Sequence, residues 1–229
     1  MRPAGAAMPH EPGPTPAAER ILAAAKALFA REGYASVSVR DIAEAAGVSK
    51  ANIFHHFASK EALYLEVLRR SCESARALLQ ALEAEEAEPA ERLRRFMRGD
   101  LERALDDLDG TRLLLAETFD ATPARARALV DEVFGADFRR LTGIVAGGQR
   151  DGAWRRDIDP ALLATLMIAA NTFFTAHREV LRQLPGVDFA EAPERYADTI
   201  VELLLDGLRA APSDGGAAPA PQAQQGDRS

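Results

Sequence analysis

The sequence predicts an all-α fold, and three observations carry that prediction. The 229 residues are 47% hydrophobic but only 6% aromatic, and rich in alanine, a composition that favours helix. Apolar residues recur at three- and four-residue intervals along most of the chain. Helix signals bracket those stripes: Thr15-Pro16, Ser38, Ser49, Ser59 and Asp159-Pro160 before them, and Gly33, Gly47 and Pro185-Gly186 after them.

The first helix follows Thr15-Pro16, and Ile21, Leu22, Ala25, Leu28 and Phe29 form its stripe up to Gly33 and Tyr34. Residues 36–60 then hold two shorter helices. Ser38 and Asp41 form a capping-box-like pair, and Ile42, Ala43 and Ala46 give a narrow apolar face. Gly47 permits the left-handed turn that a sharp reversal needs. Ser49 caps the next helix, which anchors inward through Val48, Ile53 and Phe57. Lys50, Ala51, Asn52, His55 and His56 are left facing elsewhere. Ser59 caps a further helix that opens on Lys60, a cation at a helix N-terminus, where an anion such as phosphate is favoured. A second helix that exposes small, polar and cationic groups can lie in a DNA major groove while the first braces it. The plain alternative is a helical hairpin with a solvated polar face.

Beyond Lys60 the chain reads as successive helices. One runs from Lys60 to about Ala84, with an interruption at 85–89; another spans about Ala90 to Asp107 and ends near Gly110. A short helix covers 113–119 and stops before Pro123, and a longer one covers about 124–149 with soft spots at Gly135 and Gly147-Gly148. After a loop at 151–159, Pro160 opens a long apolar helix to about Leu184. A last helix starts near Pro193 and continues to about Arg209.

With these elements in place, residues 15–75 resemble the DNA-binding domain of the TetR/AcrR family of bacterial transcriptional regulators. The resemblance rests on ILAAAKALFAREGY (21–34), SVRDIAEAAGVSK (38–50) and HHFASKEAL (55–63) taken together. It implies a helix-turn-helix over 38–57. Ser38 and Arg40 would then meet backbone phosphates, and Ser49, Lys50, Ala51 and Asn52 would meet base edges. Lys50 suits guanine acceptors, and Asn52 suits the paired donor and acceptor of adenine. His55, His56 and Lys60 would sit on phosphates, which position without specifying sequence. Phe54 stands where the family usually has tyrosine, so a hydroxyl-to-phosphate contact is missing; a protonated His56 can partly replace it.

The resemblance also orders the rest of the chain. It implies an arm at 1–14, the DNA-binding domain at 15–75, a helical ligand-binding and dimerisation domain at 76–211, and a tail at 212–229. Arm and tail, rich in Pro, Ala and Gly, read as disordered. Phe96, Met97, Leu101, Phe119, Phe134, Phe138, Asn171, Phe174 and His177 are candidates to line a pocket for a small hydrophobic effector, although apolar residues at helical spacing suit a plain core equally. Leu163, Leu166, Ala170, Phe173 and Leu181 on the long helix, with Ile200, Leu204, Gly207 and Leu208 on the last, are candidates for a homodimer surface or for the chain's own core. Two recognition helices about 34 Å apart would require an inverted-repeat operator. An effector would shift the helix that begins at Lys60 and release the DNA.

Charge fits this division. The net charge is −7, yet residues 17–70 hold eight Lys/Arg against six Asp/Glu, while residues 71–229 hold 19 against 28. The acid is kept away from the DNA-facing half, and the modest positive excess argues that two domains must bind together. The single cysteine, Cys72, excludes an intrachain disulfide and suits a reducing cytoplasm. The sequence indicates no membrane span, zinc spacing, phosphate loop or nucleophile elbow, so it calls for no cofactor and argues against an enzyme. The remaining rivals are a DNA-binding architectural or recruiting protein, whose second domain binds a protein partner, and an activator in place of a repressor.

Overall fold

The computed structural model describes residues 15–119 and 121–209, and every regular element among them is helical. The arm at 1–14, the tail at 212–229 and residues 210 and 211 lie outside the described residues. α1 (Pro16–Glu32), α2 (Val39–Ala46), α3 (Lys50–His56) and α4 (Lys60–Ser71) enclose one apolar cluster centred on Ile21, Phe29, Ile42, Ile53, Leu63 and Leu68. Each of the four helices starts at a hydroxyl cap, Thr15, Ser38, Ser49 or Ser59, that accepts from a backbone N–H of the first turn. At the turn between α2 and α3, Gly47 adopts φ 64°, which a Cβ would strain.

A second cluster is built from α5 (Glu73–Ala84), α6 (Pro89–Asp106), α9 (Gly135–Arg150), α10 (Pro160–Leu181) and α11 (Pro193–Leu208). Phe96, Met97, Leu141, Val145, Met167 and Phe174 lie at its centre, and Trp154 packs against its edge. α7 (Leu108–Phe119), α8 (Pro123–Leu129) and a π-helical turn (Val130–Phe134) bridge the two. Leu113, Leu129 and Val133 belong to the first cluster, so the apolar core of the N-terminal unit does not stop at residue 75.

Three local departures from the sequence reading have physical causes. The helix expected over 60–84 breaks at Cys72, whose N–H bonds back to Arg69 O at 3.1 Å, a tight turn that ends α4 and redirects α5. α7 starts at Leu108, earlier than the expected 113, because Asp107 Oδ1 accepts from Gly110 N–H at 3.0 Å. The helix expected over 124–149 is interrupted by the π turn ending at Gly135. A Cβ there would lie 2.4 Å from Val130 O, so the wide turn requires glycine. α10 also has the length and mean hydropathy, 1.2, of a weak membrane span, but its inner face is core: Leu163, Ala164, Met167 and Phe174 are buried.

Candidate nucleic-acid interface and apolar cavity

α2 and α3 form one rigid corner. Ile42, Ala43, Ala46 and Ile53 are buried beneath it, and Arg20 of α1 donates to Ala46 O at 3.4 Å. Ser38 and Asp41 complete a full capping box, with Asp41 N–H to Ser38 Oγ at 3.2 Å and Ser38 N–H to the Asp41 carboxylate at 2.8 Å. The Ser38 hydrogen bonds hold the Asp41 carboxyl below its usual range. Ser49 Oγ accepts from Asn52 N–H at 3.1 Å, which leaves its hydroxyl proton for a phosphate.

The outward face of this corner consists of Arg40, Lys50, Ala51, Phe54 and His55, all exposed, with His56 half-buried beside His55 at 5.1 Å between ring centroids. Two residues sit differently from expectation. Asn52 is half-buried and its Oδ1 is shut off from solvent without a partner, so the acceptor half of its amide is not open to a base edge in this conformation. Lys60 is turned back onto Tyr34, donating to the backbone carbonyl and lying 4.2 Å from the ring centroid, so its ammonium is engaged and not poised at the start of α4. Sequence reasoning treated Phe54 as a lost hydroxyl. The structure exposes 46% of it, one helical turn from Lys50, whose Nζ lies 5.8 Å from its centroid. The i,i+4 spacing of those two residues was the available signal.

The second feature is a cavity of about 420 Å³ where the two apolar clusters meet. Phe96 of α6, Phe134 of the π turn, Phe138 of α9 and Leu114 and Leu115 of α7 supply its apolar wall. Asp100, Arg103 and Asp137 supply a polar pole, and Cys72 lies beside it. Burial, with the surrounding charges of Arg103, Asp137, Arg76 and Asp100 as smaller influences, pushes the Cys72 thiol up to about 11, so it is a neutral wall residue.

Of the nine residues proposed for a pocket, Phe96, Phe134 and Phe138 line this cavity. Met97 and Phe174 are sealed in the core, the latter stacked on Tyr196 at 4.3 Å. Asn171 is buried behind the wall and donates to Met97 O and to Asp100 Oδ2, each at 3.0 Å. Leu101 borders a separate groove of about 910 Å³ between α6 and α11. That groove is rimmed by charged side chains such as Arg98, Asp198, Glu102 and Arg195, which suits solvent better than an apolar guest. Phe119 is 85% exposed at the end of α7, and His177 is exposed on the outer face of α10. Periodicity alone could not separate these positions, because cavity wall, core and outer face share the same helical spacing.

α7 connects the cavity to the DNA-facing helices. Thr111, Leu114, Leu115 and Thr118 face the cavity. Just before α7 begins, Asp107 is paired with Lys26 of α1 at 2.5 Å. Near its other end Glu117 is paired with Arg125 of α8, which also reaches Glu61 of α4 at 3.1 Å and lies over the Tyr64 ring.

The outer faces of α10 and α11 carry Leu162, Leu166, Phe173, Val180, Leu184 and Leu203, all exposed, whereas the partly open Ile168 faces the cavity. Among the residues proposed for a dimer surface, Leu166 and Phe173 lie on this face, and Gly207 is exposed with nothing within 4 Å of where its Cβ would stand. Ala170, Leu181, Ile200 and Leu204 are half-buried at its margin. Leu163 and Leu208 are buried in the chain's own core and point away from the face. No group of three or more His, Cys, Asp or Glu placed to hold a metal occurs among the described residues.

Comparison with known proteins agrees with both halves of this geometry. A family profile described as bacterial regulatory proteins, tetR family, matches residues 21–67. A second, described as tetracyclin repressor-like, C-terminal domain, matches residues 89–204. The HTH-type transcriptional regulator RutR of Escherichia coli K12 is 28% identical over 195 residues, covering 82% of this chain and 89% of RutR. The TetR-family regulator PfmR of Thermus thermophilus superposes with a TM-score of 0.64 at 26% identity, covering 84% of this chain and 97% of PfmR. The fatty acid degradation regulator FadR of Bacillus halodurans, at 19% identity and a TM-score of 0.70, covers 86% of this chain and 99% of its own, and shares the fold. With both parts of the architecture matched, the chain belongs to the TetR family of bacterial regulatory proteins and is a DNA-binding transcriptional regulator.

Proposed function

We propose that the chain is a homodimeric repressor that grips an inverted-repeat operator through two α3 helices and is released by a small apolar effector. The observation that carries this reading is the position of α7, which walls the cavity on one side and is tied to α1 and α4 at its ends. A guest that pushes on Leu114 or Leu115 displaces the helices that set the spacing of the two recognition helices. A guest of this kind acts only if it binds the released arrangement more tightly than the gripping one. The apolar lining of this pocket favours this reading over a DNA-binding recruiter, which needs no small-molecule site.

On the DNA side, Lys50, Ala51 and Phe54, all exposed, would meet base edges, and Ser38, Arg40, Ser49, His55 and His56 would meet phosphates. Asn52 and Lys60 would join them only after Asn52 turns its amide outward and Lys60 leaves Tyr34. Selection of the full-length protein against random duplex DNA at two salt concentrations tests the reading. Enrichment of an inverted repeat, with half-sites about one helical turn apart, is the expected result. Purely salt-sensitive binding with no enriched motif would overturn it.

A further inference from the structure

The cavity is not closed by a single chain. Phe96 on its inner side is buried, and Phe134 and Phe138 are half-buried. Thr165, Ile168 and Ala169 of α10 and Thr118 of α7 also line it, yet they are exposed to solvent. These four residues mark a mouth between the two helices. Its α10 lip runs directly into the outer apolar face. Ala169 stands three residues after Leu166 and four before Phe173, and Thr165 stands three after Leu162. Those spacings make the side chains neighbours on a helix surface, about 5–6 Å apart at Cβ. A surface that covers Leu166 and Phe173 therefore reaches the lip as well. Between Pro160 and His177, moreover, α10 carries no Asp, Glu, Lys or Arg. A two-fold contact sets a surface against its own copy, where any charge meets its like, so an uncharged band suits a second copy of this chain.

We propose that the second copy of the chain roofs the α10 lip of the cavity, so that the effector site is complete only in the dimer. This deepens the homodimer and effector readings above and rests on both. A roof that covers about 50 Å² of an apolar guest is worth about tenfold in affinity. Reciprocity returns the same factor to dimerisation, so two guests per dimer lower its dissociation constant by up to about a hundredfold. A guest that tightens the dimer cannot release DNA by splitting it. The spacing of the two α3 helices is then the quantity it changes.

The test places a thiol on the lip with Ala169→Cys and, as a control, on the exposed surface of α5 with Ala77→Cys. The native Cys72 is buried and its thiol neutral, so it reacts slowly. Each full-length variant is made alone and with Leu203→Glu, which sets a carboxylate into the outer face of α11 away from the lip. Sedimentation records the oligomeric state, and mass spectrometry follows labelling by N-ethylmaleimide. The thiol at 169 should react about tenfold or more slowly in the dimer than in the Leu203→Glu monomer, and the thiol at 77 equally in both. Phenylnaphthylamine, a neutral apolar dye, should bind the dimer about tenfold more tightly than the monomer, counting the signal that is lost when Ile168→Trp crowds the cavity. Equal reactivity at 169 in dimer and monomer would overturn the roof and leave the homodimer standing. Dye bound equally by both, or by neither, would overturn the link between guest and dimer. A chain that is monomeric throughout would refute the homodimer reading, and a dimer that survives Leu203→Glu would refute its placement on this face. Either result ends the proposal, and each failure is distinguishable from the others.

Discussion

Phe173→Ala tests the homodimer in isolation from the DNA corner and the cavity. The ring is 57% exposed on the outer face of α10, and its close aromatic neighbour within the chain is His177, stacked at 4.4 Å between centroids. A phenylalanine side chain carries about 150–250 Å², so roughly 85–140 Å² stands open in the single chain. Covering that area at about 25 cal/mol per Å² is worth about 2–3.5 kcal/mol per ring. A two-fold axis presents the ring twice, for about 4–7 kcal/mol gross. Interface area converts incompletely, because side chains are ordered and polar neighbours desolvated on association. With about half surviving, the dimer dissociation constant should rise about thirty- to three-hundredfold. Analytical ultracentrifugation over a dilution series measures it directly, and the fluorescence of the single, buried Trp154 checks that each protomer stays folded. Operator binding should become steeply concentration-dependent in the same range. A dissociation constant that moves by less than about threefold would refute the assignment of this face to the interface.

Two further outcomes follow from the geometry. Phe54→Ala should reduce discrimination at one base position by about 1–3 kcal/mol and leave the salt dependence unchanged, because an apolar ring reads a thymine methyl and neutralises no phosphate; competition binding to operator variants measures it. Gly135→Ala places a Cβ 2.4 Å from the Val130 carbonyl, a backbone atom that cannot swing aside. It should lower stability by about 1–3 kcal/mol, and, since Phe134 is the adjoining cavity wall, it should weaken effector binding in calorimetry beyond what the loss of stability explains.

The DNA-binding corner was legible because local chemistry decides it. Ser38, Gly47, Ser49 and Ser59 each occupy the cap or turn that their side chains, or the lack of one, predict. The stripe Ile42, Ala43, Ala46 with Ile53 is buried as its spacing requires. What the sequence could not convey is where a side chain goes when two long-range options compete. Lys60 abandons the helix N-terminus for a carbonyl and an aromatic face contributed by Tyr34, 26 residues away. The pocket failed to resolve for a related reason. Phe96 and Met97 are adjacent on α6, yet one borders the cavity and the other is sealed, and only the tertiary placement of α7, α9 and the π turn around that cavity separates them. Asp100, Arg103 and Asp137 escaped notice altogether. Charged residues on amphipathic helices read as solvated, and their pairing across α5, α6, α9 and α10 is tertiary information.

Two-fold symmetry also sets how much each effector must accomplish. Moving a regulator from about 1% to about 99% released requires a differential affinity of about 10⁴ in total, or about 5.5 kcal/mol. A dimer with one cavity per protomer divides that between two guests, so each must favour the released arrangement by about a hundredfold, within the range of coupling free energies seen between distinct sites. The contacts that hold α7 to the DNA-facing helices are of matching size. Lys26–Asp107 and Arg125–Glu117 are ion pairs whose side chains are 13–30% exposed, between the weak surface pair and the strongly coupled buried one. Ties much stronger than these would lock the spacing of the recognition helices against any guest of about 420 Å³. Much weaker ties would let the two cores move independently, and occupancy of the cavity would leave the DNA-facing helices where they are. On the proposed mechanism, the partial burial of these two pairs would let a small apolar guest in each protomer, bound between the cores, be felt at α1 and α4.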